Sequence, residues 1–232
     1  MTLAIMQPYL FPYLGYFQLI GAVDRFVIYD DVSYIKGGWI NRNCWLVGGA
    51  RAYFTFPVQG ASSFRRIADV RLADDGRWAL KLLKTFRQEY GSAPHFAAAF
   101  ELLEEVVMLD DPGVSRRATA SVRAVMSYLG MTTPLVATSA CYRNGDLRAA
   151  ARVIDICRRE GATRYINAIG GQELYSMALF ATAGIELRFL RPRGIEYRQF
   201  REPFVPWLSI LDVIAFNPPD AVRAFLQEYE LL

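Results

Sequence analysis

The sequence predicts an α/β fold: a Rossmann-like, mostly parallel sheet with a β-hairpin extension, interrupted by a helical insert. Three patterns point there. Short β-branched and aromatic runs alternate with helical periodicity near both ends of the chain. Two strand-like runs flank Gly48-Gly49. Between the hairpin and the second alternating region lie consecutive segments with apolar residues at three- and four-residue spacing.

Taken in order, Thr2 to Met6 is an apolar run that stops at Gln7-Pro8, as a buried first strand would. Pro12 suits a helix opening, Tyr13 to Ala22 can form that helix, and Gly21 marks its end. Phe26 to Tyr29 reads as a second buried strand ending at Asp30-Asp31, which makes a parallel βαβ unit. Cys44–Val47 and Arg51–Val58 form the hairpin, and Ile67 to Leu72 can add a strand. Trp78–Tyr90, Phe96–Met108 and Val114–Leu129 are helices, punctuated by Pro94, Asp111-Pro112 and Gly130. The alternation then resumes. Leu135–Ser139, Arg164–Ala168 and Ile185–Leu190 read as strands, with helices at Asp146–Glu160 and Gly171–Ala183. Two short helices close the chain, near Ser209–Phe216 and Pro219–Tyr229. The expected organisation is a single domain over residues 1–232, with its α/β core at 1–72 and 131–232 and the insert at about 75–130.

Composition narrows the class. Hydrophobic content of 53% with 21% charge is that of a globular chain. The net charge of +3, from 26 basic and 23 acidic residues, is too small an excess to argue for nucleic acid. Cys44, Cys141 and Cys157 match no metal-knuckle spacing, and His95 is the only histidine. No disulfide framework and no protein metal site are expected. The N-terminus lacks a charged n-region, and its apolar run is broken by Gln7, Pro8 and Pro12, so no signal peptide is expected. No apolar run reaches the roughly 18 residues of a membrane span, and a cytoplasmic location with a small-molecule partner follows as the expectation.

Four segments can carry chemistry. Gln7 to Ile20 lies between a strand and a helix, at the carboxyl end of the first strand, where open parallel sheets bind ligands. Gly15 allows close backbone approach, and Tyr9, Tyr13 and Tyr16 offer stacking faces and hydroxyls. An amphipathic helix with aromatic core contacts explains the same residues. Tyr29 to Asn43 carries Asp30 and Asp31 at the second strand's end, then Tyr34, Lys36, Trp39, Asn41, Arg42 and Asn43. Carboxylates beside cations supply acid–base work or hold phosphate; a salt-bridged loop is the plainer reading. In the third segment Asn167, Gly170-Gly171 and Tyr175 follow a later strand at the same edge, although tight turns use Gly-Gly routinely. The fourth holds Tyr197 and Gln199 before Ser209, which reads as a helix cap with Asp212 completing the box. His95, behind Pro94, reads as structural, and no nucleophile elbow, Walker loop or dinucleotide fingerprint is present.

Met6–Ile20, Phe26–Lys36 and Gly38–Asn43 together resemble the WbqC-like family, and Trp78, Lys81, Tyr90, Tyr165, Gly170-Gly171, Tyr175, Tyr197, Gln199 and Leu208–Asp212 follow in that family's order. Two positions depart. Leu82 follows Lys81 where the family usually has histidine, and Gly37 follows Lys36 where a second basic residue is usual. The resemblance implies a role in surface-polysaccharide (O-antigen type) or modified-sugar biosynthesis, with acyl or aminoacyl transfer to a nucleotide-linked amino sugar and a nucleotide or acyl donor. Two alternatives stand beside it. One is a non-catalytic nucleotide-sugar or partner-binding protein. The other is nucleotidylyltransferase-like adenylate chemistry with Tyr13 and Tyr16 in place of the HxGH histidines. In the enzyme reading Asp30, Asp31, Lys36 and Arg42 are catalytic. Substrate is then bound by Gln7, Tyr9, Tyr13, Gly15, Tyr16, Tyr34, Trp39, Asn41, Asn43, Asn167, Gly170, Gly171, Tyr175, Tyr197 and Gln199.

Overall fold

A computed structural model describes residues 1–73 and 76–232. The elements run β1 (Thr2–Met6), α1 (Leu14–Gly21), β2 (Arg25–Ile28), β3 (Arg42–Val47), β4 (Ala50–Thr55), β5 (Val58–Gln59) and β6 (Arg71–Leu72). Then come α2 (Arg77–Tyr90), α3 (Phe96–Val107), α4 (Val114–Tyr128), β7 (Leu135–Val136), α5 (Ala149–Arg159) and β8 (Arg164–Ala168). The chain closes with α6 (Met177–Thr182), β9 (Glu186–Pro192), α7 (Ile210–Phe216), α8 (Pro219–Phe225) and β10 (Tyr229–Leu231). The predicted start of the insert, near residue 75, lies outside the described residues.

Six strands form one sheet in the order β10-β9-β8-β1-β2-β7. All neighbours are parallel except β10, which pairs antiparallel with β9. The fold is therefore the mixed, mostly parallel α/β architecture that the patterning predicts. Each β1 side chain alternates as a pleated strand must. Ala4 joins the core on the side of α1, the insert, α7 and α8, while Leu3 and Ile5 join the opposite core built with α5 and α6. β3 and β4 form the hairpin, whose turn Gly48 (φ 60°) and Gly49 (φ 84°) serve at positive φ.

Four predicted elements differ, each because a side chain or carbonyl redirects the backbone. Ile67–Asp69 is a 3₁₀ turn and only Arg71–Leu72 is strand: the Ile67 and Ala68 amides donate to the Val32 and Asp30 carbonyls at 2.9 Å each. The strand predicted to reach Ser139 stops at Val136, since Thr138 and Ser139 turn inward to Asp30. The helix predicted over Gly171–Ala183 is a 3₁₀ turn at Ile169–Leu174 and a separate α6, with Tyr175 extended between them and its ring edge-on to Tyr165 and Phe180. Finally, α8 ends at Phe225. Buried Gln18 donates to the Phe225 and Glu228 carbonyls at 2.8 and 2.9 Å, and the chain turns into the unanticipated β10.

Ser209 caps α7, accepting from the Leu211 amide at 3.3 Å, but Asp212 does not complete the box. Its carboxylate accepts instead from the hydroxyls of Tyr90 (2.6 Å) and Tyr197 (2.5 Å) and from the Gln199 amide (3.0 Å). Tyr90 in turn accepts from the Leu46 amide at 2.8 Å, so this knot joins hairpin, insert, the segment before α7, and α7 itself.

Asp212→Ala orphans several buried donors and is expected to cost about 3 kcal/mol or more in urea unfolding, with Asp212→Asn far milder. Burial holds the Asp212 carboxyl above its ordinary value of 3.8, against the lowering effect of its three hydrogen bonds. In the window above 3.8 the folded chain thus binds a proton that the unfolded chain releases. Stability from this group falls as pH rises through the window. As pH rises above 3.8 the wild type is expected to lose stability relative to Asp212→Asn; parallel profiles would count against it.

Candidate functional site

Successive connections carry the chain from β1 to β2 to β7, then back across the sheet through α5 to β8 and outward to β9. The strand order reverses between β1 and β8. Such a switch point opens a crevice at the carboxyl ends of the strands. Gln7 leaves β1 at this edge, Asp30 and Asp31 leave β2, Thr138 and Ser139 follow β7, and Asn167 lies near the end of β8.

The two acids at the end of β2 have different tasks. Asp30 is buried. One oxygen accepts from the Ser115 hydroxyl of α4 at 2.8 Å, and the other from the Thr138 hydroxyl at 2.7 Å and the Ser139 amide at 3.2 Å. It is a structural pin. Asp31 accepts from the Ser139 hydroxyl and forms an ion pair with Arg152 of α5. Both side chains of the pair are nearly closed to solvent, at 7% and 2% exposure. Arg152 also donates to the Asn144 side chain at 2.9 Å and lies 5.1 Å above the Tyr29 ring centre. Burial raises the Tyr29 hydroxyl pKa, an effect that the Arg152 charge partly offsets.

A cleft of about 680 Å³ opens over this pair, lined by Gln7, Tyr29, Asp31, Val32, Ser33, Ile35, Arg66, Gly145, Leu147, Arg148, Ala149 and Arg152. Arg148 and Arg66 stand at its exposed rim. Arg148 has no partner among the described residues, and Arg66 reaches only an exposed Asp69 at 3.8 Å. The Gln7 side-chain amide is likewise unpartnered among them. Cationic groups over a polar, ligand-sized cleft favour phosphate or carboxylate.

The remaining predicted residues fall elsewhere. Tyr9, Tyr13, Trp39 and Asn43 line a second cavity of about 240 Å³ with Pro12, Arg51 and Trp207. Tyr13, Gly15 and Tyr197 line a third, of about 200 Å³, which shares Tyr13 and Trp207 with the second. Asn43 spends its amide on the Leu10 and Phe11 carbonyls. Tyr16 is buried and donates to the Gln7 carbonyl at 2.9 Å. Tyr34 donates to Asn41 at 2.6 Å, and Asn41 to the Phe56 carbonyl. Arg42 holds the Gly37 and Gly38 carbonyls and stacks on Tyr53, while Lys36 is exposed beside it. Gly15 admits close approach, but by the Tyr13 ring and Pro192: a Cβ there would lie 2.3 Å from Tyr13 Cε2. Gly171 similarly accommodates the Asn167 amide, Gly170 is exposed, and Gln199 belongs to the Asp212 knot. Leu82 packs in the apolar core.

Sequence reasoning missed Arg152, Arg148, Arg66, Arg51 and Trp207. Arg152 had a usable signal, since it sits one turn before Ile156 on the apolar face of α5, and a charge on a buried face is informative. Trp207 had none. Its backbone adopts φ 60°, a left-handed conformation that costs a bulky residue of the order of 1–3 kcal/mol.

Fold and cleft together define an α/β protein with a ligand-sized, arginine-rimmed cleft at the carboxyl edge of a parallel sheet. Residues 7–224 match the WbqC-like protein family, and the chain belongs to that family. It is 31% identical over 226 residues to uncharacterized protein Rv1507c of Mycobacterium tuberculosis (strain ATCC 25618 / H37Rv), covering 95% of this chain and 96% of that protein. No solved structure matches. Among the described residues no helix is long and apolar enough to cross a membrane.

Arg152→Met leaves the Asp31 carboxylate buried without its cation. It is expected to cost about 3–5 kcal/mol in denaturant unfolding, and adding Asp31→Leu to recover much of that loss. An unchanged midpoint in the single variant would mean that the pair is not buried in solution.

Proposed function

We propose that this protein is a group-transfer enzyme acting on an activated small substrate of the nucleotide-linked (amino) sugar class, bound in the sheet-edge cleft. One observation carries the reading: a ligand-sized cleft at the switch point, floored by the Asp31–Arg152 pair and rimmed by Arg66 and Arg148. In this reading the rim arginines hold phosphate or carboxylate. The Gln7 amide orients the acceptor, and Asp31 offers the oxygen that receives the proton of an amine or hydroxyl nucleophile. Asp30 has no such role, since its oxygens already accept from Ser115, Thr138 and Ser139. Lys36 and Arg42 lie outside the cleft lining and contribute at most to its surroundings.

The non-catalytic binder is a second reading that the engagement of Asp31 favours, because Ser139 and Arg152 already occupy lone pairs on both of its oxygens. Adenylate chemistry through Tyr13 and Tyr16 has less support. Tyr16 gives its hydroxyl to a backbone carbonyl, and neither tyrosine lines the cleft.

Thermal-shift titration with UDP-sugars, ATP and acyl-CoA separates the readings. A ligand that raises the melting temperature and is consumed supports the enzyme; one that stabilises and stays intact supports the binder. Arg148→Glu is expected to weaken the stabilising anion about tenfold or more without lowering the melting temperature of the free protein. Lys36→Ala is expected to leave both unchanged. Absence of any anion-dependent shift would overturn the assignment of the cleft.

A further inference from the structure

A second cavity lies beyond Gln7-Pro8 along the first loop, against Tyr9, Pro12 and Tyr13. The cavity of about 240 Å³ there has an aromatic wall, and its polar groups are the Tyr9 and Tyr13 hydroxyls, the Arg51 guanidinium and the Asn43 amide. Trp39 and Trp207 line it at 39% and 59% exposure, unusually high for tryptophan that serves only packing. Trp207 meets Tyr13 edge-on at 6.1 Å between ring centres. The Arg51 guanidinium donates to the Pro206 carbonyl and so anchors the segment that presents Trp207.

The hydroxyls of Tyr9 and Tyr13 have no hydrogen-bond partner among the described residues. The two rings share the cavity, and each hydroxyl pKa is raised, by burial first and at Tyr13 also by the neighbouring Tyr9. Neither hydroxyl is sealed from solvent, so water can serve both in the free protein and a ligand hydroxyl can take its place.

We propose that this aromatic cavity is a binding site for a single hexopyranose ring, stacked on Trp39 and Trp207 and hydrogen-bonded by Tyr9, Tyr13 and Arg51. The choice of a sugar over a nucleobase follows from the polar groups. A nucleobase edge presents a fixed donor and acceptor code that a side-chain amide reads well. The Asn43 amide in this cavity is spent on the Leu10 and Phe11 carbonyls and on the Cys44 amide. Phenolic hydroxyls both donate and accept, which suits sugar hydroxyls of either sense. The apolar C–H face of a pyranose suits an exposed tryptophan, much as a cation suits its quadrupole. The site stands independently of any reaction in the arginine-rimmed cleft.

The test is titration of the full chain with methyl glycosides of hexoses and N-acetylhexosamines, followed by tryptophan fluorescence and saturation-transfer NMR, with uridine and adenosine in parallel. Saturable glycoside binding is expected. Trp39→Ala and Trp207→Ala should abolish it, and Tyr9→Phe and Tyr13→Phe should each weaken it about tenfold with unchanged melting temperature. Arg148→Glu should leave it intact. The proposal is overturned by absent glycoside saturation, by binding of nucleosides alone, by Phe variants that bind like wild type, or by glycoside binding that disappears with Arg148→Glu.

Discussion

Two adjacent carboxylates at the end of one buried strand set the terms for the rest of this molecule. Removing Asp30 and Asp31 from water is costly unless each oxygen finds a donor. The donors come from remote parts of the chain: Ser115 from the insert, Thr138 and Ser139 from the β7 exit, and Arg152 from α5. Satisfying Asp30 explains why the insert docks with the start of α4 against the sheet edge, and why β7 is cut short. Satisfying Asp31 puts an arginine on the otherwise apolar face of α5. The cleft is what remains above the second of these acids once the first has been sealed.

Much of the fold was legible because its signals are local. β1 and β8 occupy their predicted residues, and the hairpin and the insert helices agree to within a few positions. What escaped was set from a distance. The amides of Ile67 and Ala68 leave the strand pattern because the Val32 and Asp30 carbonyls, in the segment after β2, recruit them. The end of α8 and the added β10 depend on Gln18, roughly two hundred residues earlier. Periodicity averages over a window and carries no information about such partners.

The candidate site was legible in position and illegible in detail for the same reason. Strand ends and their loops follow from topology, so Gln7 and Asp31 were correctly placed at one edge. Whether a polar side chain faces a ligand or its own backbone depends on burial accounting, which spacing does not reveal. Asn41, Asn43 and Tyr34 carry the chemistry of a binding loop, yet they use it to hold that loop together. Asp30 and Asp31 are neighbours of one residue type, and only the three-dimensional donor set tells the pin from the candidate base.

The two proposed ligand regions meet at one loop. The first loop, from Gln7 to Tyr13, contributes to two separate cavities. Gln7 opens on the cationic cleft, while Tyr9 and Tyr13 open on the aromatic cavity. Tyr16 rivets the loop from beneath by donating to the Gln7 carbonyl, and Asn43 holds its middle through the Leu10 and Phe11 carbonyls. Phe11, fully buried at φ 39°, is kept in a left-handed conformation by these bonds and by the Ser121 and Ser209 hydroxyls on its amide and carbonyl. Strain fixed by so many partners is a way to hold a loop rigid. A rigid loop between an anion-favouring cleft and an aromatic cavity keeps their separation constant. Were both proposed ligands bound, this loop would hold them at a fixed separation.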